Sequence, residues 1–162
     1  MIILGIDPGT ASTGYGVIKR LESKTKRFRC LDYGVIKTQP IFTAPERLMK
    51  LNNDLDRLIK KYQPEVLVME SLYFFKNFKT AIPVSQAGGV ILLTAAKNKL
   101  PVHQFTPLQV KLAVGGFGRA EKEVVQKKIK SLLKLKEAPK PDDAADALAI
   151  AATFCLYKRH KA

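Results

Sequence analysis

The hydrophobic period of this chain first changes near Ala44, and that change restricts the fold more than any single residue does. Before it, Ile2-Ile3-Leu4-Gly5-Ile6 is a short apolar run stopped by Asp7-Pro8-Gly9, the pattern of a sheet-centre strand that ends in a turn. Tyr15 to Lys19 and Phe28 to Lys37 follow as β-rich segments on either side of a basic turn around Glu22 to Lys26. Connections this short imply antiparallel neighbours. From Ala44 to Tyr62, Leu48, Leu51, Leu55, Leu58 and Tyr62 recur on one helical face, with Lys50, Asp54, Arg57 and Lys61 elsewhere.

Beyond that helix, strands and helices alternate. Val66-Leu67-Val68-Met69 is a second buried strand and ends in Glu70. Thr80 to Lys97 reads as a buried helix, apolar almost all round, with more apolar surface than one sheet face can cover. Val102 to Phe105 is another strand, and Thr106-Pro107 supplies an N-cap and a first helical proline for a helix that Gly115 and Gly116 end. Glu121 to Leu133 is helical with a basic surface. A polar linker from Lys134 to Pro141 leads into an alanine-rich helix from about Asp142 to Tyr157, able to approach the sheet closely. The order predicts a three-layer α/β domain around a five-stranded sheet of mixed direction.

A length of 162 residues suits one domain, here 1–157, followed by a basic tail at 158–162. With 46% apolar and 26% charged residues, the chain is neither disordered, collagen-like nor low-complexity. Cys30 and Cys155 match no metal motif in a chain too large to need disulfide staples, which points to a reducing cytoplasm. The N-terminal run reads as a strand rather than a signal peptide. The uncharged stretch from Thr80 to Ala96 is short for a membrane span and holds Pro83, Gly88 and Gly89.

Lys and Arg number 28 against 14 Asp and Glu, a formal charge of +14 that favours a polyanionic partner, nucleic acid first. Against that background the placement of acids is informative. Asp7 and Glu70 stand where buried strands give out, which is where open α/β sheets commonly bind ligands. Asp143 and Asp146 are one helical turn apart and share a face, so four acids are placed to converge. Two like charges about 4 Å apart repel by roughly 4 kcal/mol at an effective dielectric of about 20. A divalent cation removes that cost, and carboxylates without His or Cys favour Mg²⁺ or Mn²⁺ over zinc. The chemistry that fits is two-metal phosphodiester hydrolysis, one ion generating the attacking hydroxide and the other stabilising the leaving 3′ oxygen. Taken singly, each acid also has a plainer role, as a turn former, a lysine partner or a helix N-terminal charge.

Gly5-Ile6-Asp7-Pro8-Gly9-Thr10 with Gly14-Tyr15-Gly16, then Val68-Met69-Glu70, then Asp143-Ala144-Ala145-Asp146-Ala147-Leu148-Ala149, resemble the three motifs of the RuvC family of bacterial Holliday-junction resolvases, in order, from residue 2 to about residue 157. The resemblance implies a ribonuclease H-like fold, a homodimer, and paired symmetric nicks across a four-way DNA junction. It also implies two Mg²⁺ per active site, replaceable by Mn²⁺, and a branch-migration motor of RuvA and RuvB as partner. Carried over, the catalytic and metal-holding acids are Asp7, Glu70, Asp143 and Asp146. Asp142 and Asp146 are also a same-face pair; the family spacing selects Asp143 and leaves Asp142 as a helix cap.

The resemblance also marks DNA-binding residues. Ser71 to Lys79 interleaves aromatics with lysines, so that rings can stack on unpaired bases while Lys76 holds phosphate. Tyr73 takes the position of an aromatic wedge at the crossover, where phenylalanine is common in relatives. Phe74, Phe75 and Phe78 read equally as core closure. Lys111 and Lys122 match family lysines that approach the backbone near the cut, and both also fit ordinary helix-surface positions. Two alternatives stand beside this reading. The Asp7 to Gly16 loop also resembles the phosphate loop of sugar kinases and actin-like ATPases, and a non-catalytic DNA-binding module predicts missing acids where all four are present.

Overall fold

The structure, a computed structural model, describes residues 1–9, 11–21, 28–71 and 78–157. Its strands are β1 (Ile2–Asp7), β2 (Ser12–Arg20), β3 (Phe28–Lys37), β4 (Val66–Glu70) and β5 (Val102–Phe105). Its α-helices are α1 (Ala44–Tyr62), α2 (Phe78–Lys97), α3 (Pro107–Val110), α4 (Lys122–Leu133) and α5 (Asp142–Tyr157), with a π-helical turn at Lys111–Gly115. The sheet order is β3-β2-β1-β4-β5. β2 runs antiparallel to β1 and β3, as their short connections require, whereas β4 pairs in parallel with β1 and β5 through helical crossovers. The expected mixed five-stranded sheet is therefore observed.

Local signals set the helix ends. Thr43 precedes α1, and its backbone N–H donates to Glu46 Oε2 at 2.7 Å, half of a capping box. Thr106 caps α3 by accepting from the Gln109 N–H at 3.1 Å, with Pro107 in the first turn. Gly116, at φ 90°, closes the π-helical turn in a left-handed conformation that a β-carbon disfavours.

Side-chain parity divides the core into two layers. Leu4, Ile6, Val17, Leu67 and Met69 point to the face covered by α1 and α2, where Leu51, Leu55, Ile59, Ala87, Ile91 and Ala95 meet them. Ile3, Ile18, Val66 and Val68 point to the opposite face, against α4 and α5. Burial of each large aliphatic side chain contributes roughly 1.5–3 kcal/mol. On the α5 face, Gly5, Gly14 and Gly16 stand where side chains would otherwise be. A β-carbon on Gly5 would lie 2.2 Å from the Ala147 carbonyl oxygen, and one on Gly14 would lie 2.0 Å from that of Asp143. Their absence, together with the alanines of α5, lets this helix lie on the sheet at a distance no larger residue permits.

One expectation is corrected. α2 is not buried all round: Ala87, Ile91, Thr94 and Ala95 face inward, but Ile82, Gln86, Gly89, Leu92 and Leu93 are exposed. Ile82, Gln86, Gly89 and Leu93 follow a helical stripe, so the apolar excess seen in the sequence is an outward face rather than a second internal contact. Among the described residues, no helix is long and apolar enough to cross a membrane.

Candidate active site

Parity brings the acids together. Asp7 lies two and four residues beyond Gly5 and Ile3, and Glu70 two and four beyond Val68 and Val66, so both acids belong to the face that α5 covers. β1 and β4 are parallel neighbours with Ile6 opposite Met69, so the two acids leave the sheet side by side at the same edge. Asp7 is paired across the ladder with Gly14, the position against which Asp143 in the first turn of α5 is packed. The missing side chain at residue 14 thus delivers the N-terminal turn of α5, with Asp143 and Asp146, to the end of β1.

The electrostatics follow from that convergence. Burial pushes the Asp7 carboxyl up to about 8, and the charges of Asp146, Glu70 and Asp143 add to the rise, while Lys122 opposes it. Glu70 is also raised, by burial and then by Asp146, with Lys111 opposing. Burial raises Asp146 too, against the hydrogen bond and charge of Lys122. Carboxylates that perturb one another in this way form one electrostatic unit, of a kind concentrated at functional sites. Among the described residues, no three His, Cys, Asp or Glu side chains close into a ready metal-ligating group. The acids stand as neighbours, and an ammonium group lies against Asp146.

That ammonium is Lys122, the first residue of α4. Its Nζ lies 3.0 Å from Asp146 Oδ2 and 3.3 Å from Asp142 Oδ2. Gln126, one turn further along α4, donates through Nε2 to Asp142 Oδ1 at 3.1 Å. Asp142 consequently departs from its expected role as a cap. The carbonyl of Pro141 accepts the Ala144 and Ala145 N–H groups, at 3.0 and 3.4 Å, while the Asp142 carboxylate is engaged with α4. The hydrogen bond from Gln126 and then the interactions with Lys122 hold this carboxyl below its ordinary value, opposite in direction to Asp7 and Asp146. Asp142 is exposed, whereas Asp143 and Asp146 are partly buried. Burial thus separates the two aspartates that helical spacing left equivalent.

Lys111 begins the π-helical turn, is exposed, and acts on Glu70 by its charge. Tyr73 and Lys76 lie outside the described residues, as do Phe74, Phe75 and the 158–162 tail. The His103 ring lies tilted against that of Phe154, with ring centroids 4.8 Å apart. Sequence reasoning missed Gln126. The available signal was its i,i+4 spacing from Lys122, but nothing in the sequence showed that this face of α4 meets the first turn of α5.

Residues 3–154 match the family described as crossover junction endodeoxyribonuclease RuvC. The chain is similar to the RuvC crossover junction endodeoxyribonuclease of Petrotoga mobilis, 52% identical over 155 residues that cover 96% of this chain and 92% of the relative. It is also similar to Thermus thermophilus RuvC solved in complex with a Holliday junction substrate, at a TM-score of 0.92 and 37% identity, covering 99% of this chain and 96% of the other. The yeast mitochondrial Holliday junction resolvase Ydc2 shares the fold at a TM-score of 0.68 and 17% identity, over 97% of this chain and 80% of its own. The architecture is ribonuclease H-like, and the resolvase is the reading these relatives support over the ATPase and the non-catalytic module. With three motifs in order and the acids of all three gathered at one end of the sheet, the chain belongs to the RuvC family of crossover junction endodeoxyribonucleases.

Proposed function

We propose that this protein resolves four-way DNA junctions by paired, metal-dependent nicks, and that Asp7, Glu70, Asp143 and Asp146 hold the metal ions. The observation that carries the reading is the convergence of these carboxylates at the end of β1 and β4, under the first turn of α5, in a chain with a formal charge of +14. The donors at this end are hard carboxylate oxygens, the chemistry that Mg²⁺ and Mn²⁺ prefer. When bound, such a pair of ions supplies an activated water and stabilises the departing oxygen. The residues themselves have simpler tasks. The carboxylates fix the position of positive charge at the sheet end, and Lys111 and Lys122 contribute cations on the side from which a phosphate backbone approaches.

Cleavage of a synthetic mobile four-way junction, beside a linear duplex, with Mg²⁺ or with a chelator, tests this directly. Paired nicks confined to the junction and to Mg²⁺ are expected. Equal cleavage in chelator would overturn the metal assignment, and equal cleavage of duplex the substrate assignment.

Junction selectivity belongs to Tyr73, with Lys76 beside it, supported by the interleaving of aromatic and basic residues. Tyr73→Ala should forfeit roughly 1–3 kcal/mol of stacking with the salt slope unchanged. Lys76→Ala should lower the logarithmic salt slope by about 0.9. A Tyr73→Ala protein that binds and cuts junctions as well as wild type removes the wedge role.

A homodimer is supported by the outward stripe of α2 and by the need to cut two strands symmetrically, which a two-fold pair satisfies. Leu93→Glu should shift the protein toward monomer in sedimentation and uncouple the two nicks. A wild-type protein that is monomeric at micromolar concentration and still cuts in pairs contradicts the dimer. Delivery of the junction by RuvA and RuvB in the cytoplasm completes the reading; family membership supports the motor, and two free cysteines suit a reducing compartment.

A further inference from the structure

Lys122 has two acceptors where one would neutralise it. Its Nζ bridges Asp146 Oδ2 at 3.0 Å and Asp142 Oδ2 at 3.3 Å, and Gln126 fixes the other oxygen of Asp142 at 3.1 Å. The arrangement is a matched pair of helix turns. Lys122 and Gln126 are i,i+4 on α4, Asp142 and Asp146 are i,i+4 on α5, and the first turns of the two helices face each other. An ammonium group has three donors, so it can serve both carboxylates and still turn one N–H toward solvent, to which this side chain is half open.

The two carboxylates differ in what else they face. Asp146 is the largest like-charge influence on both Asp7 and Glu70, whereas the charges that raise Asp7 are those of Asp146, Glu70 and Asp143. Both oxygens of Asp142 are engaged by α4. We propose that Asp142, held by Gln126, is a positioning residue that gives Lys122 a resting place away from Asp146, so that a divalent cation reaches Asp146 without expelling the lysine from the site. This inference rests on the metal-holding role of Asp146 in the proposed function. Lys122 lies against both Asp146 and Asp142. A cation held by Asp146 would repel the ammonium, and Asp142 would keep it at the rim for a DNA phosphate. An Asp142 absent or neutral leaves Lys122 only Asp146, and the lysine then competes with the metal.

The test is Mn²⁺ binding to the full-length protein without DNA, read as loss of the free-ion paramagnetic resonance signal at about 0.15 M salt, where through-solvent attraction is screened beyond about 8 Å. Asp142→Asn retains an oxygen for Gln126 and removes only the charge. It should weaken Mn²⁺ binding by roughly two- to fivefold, the range of an exposed ion pair. Lys122→Met should tighten binding by a similar factor. In the Lys122→Met background the effect of Asp142→Asn should shrink to within error, since no lysine is left to position. Gln126→Ala should weaken binding in the same direction by less. A loss from Asp142→Asn as large in the Lys122→Met background as in wild type makes Asp142 a ligand and overturns the proposal. No change in either background makes it a bystander and overturns it equally. Wild-type protein that binds no Mn²⁺ at all defeats the metal reading itself, an outcome distinct from both.

Discussion

Aspartates on α1 and at the end of β1 are the same side chain in opposite situations. Asp54 meets Lys50 at 2.5 Å and Arg57 at 3.1 Å, and Asp56 meets Lys60 at 2.6 Å and the Asn98 amide at 2.9 Å. The hydrogen bonds from Lys60 and Asn98 hold the Asp56 carboxyl below its ordinary value. Asp7 is instead half-buried near Asp146, Glu70 and Asp143 and raised to about 8. Cations are not scarce, with 28 lysines and arginines for 14 acids. The fold supplies them along a solvated helix, whereas at the sheet end Lys122 and Lys111 do not offset the burial and like charge that raise Asp7 and Glu70. What differs is therefore placement, and the undercompensated acids are the ones suited to holding a cation from outside.

The largest expected effect comes from removing one of those acids. Asp7→Asn should lower junction cleavage by roughly 10²–10³-fold or more while leaving junction binding intact or slightly stronger, because the phosphates lose a repulsive neighbour. Cleavage near the wild-type rate, measured under single-turnover conditions, would place Asp7 with the merely structural acids of α1. Next in size is the response to a cation. Mn²⁺ at about a hundred times its dissociation constant should stabilise the wild-type fold by about 2.7 kcal/mol, or roughly 5–10 °C for a chain of this size. Thermal melts at pH 8 should show this gain in wild type and far less of it in Asp7→Asn. An equal gain in both proteins would detach the binding site from Asp7.

A separate effect concerns pH in the presence of a chelator. Asp7 binds its proton more tightly in the native protein, up to about 8, than in the unfolded chain with its value near 3.8. The native state therefore carries the extra proton between these values, and stability falls as pH rises from about 4 to about 8. Melting temperatures in chelator should decline across that window, and Asp7→Asn should flatten the decline. The opposite slope assigned to Asp7 would mean that its carboxylate is compensated after all. Least of all is expected from the other side of the comparison. Asp54→Asn should cost roughly 0.2–1 kcal/mol for its exposed pairs and leave cleavage unchanged. A cleavage defect without a matching loss of stability would show that α1 takes part in function.

The five strands and the principal helices were legible because their signals are local. Unbroken apolar runs over Ile2 to Ile6 and Val66 to Met69 mark buried strands, whose backbone geometry decides which residues share a face, and Thr106 and Gly116 mark helix ends within a few residues. The acids were legible for the same reason, since strand ends and helical spacing are properties of short segments. The outward stripe of α2 was misread as buried because hydropathy reports how apolar a helix is and not which of its sides the rest of the chain covers. Asp142 was misread as a cap because residue type and position suit that role, and only packing revealed Lys122 and Gln126 as its partners.

By itself, then, the sequence determined the strand and helix order, the two strand-end positions of Asp7 and Glu70, and the helical pair Asp143 and Asp146, all through periodicities set by backbone geometry. Only the tertiary structure decided that α5 lies close enough, over Gly5 and Gly14, to bring those pairs together, and that the first turn of α4 aims Lys122 between Asp142 and Asp146. Such contacts join segments remote in the chain. Their geometry depends on how two layers of side chains pack against one sheet, which no local pattern encodes.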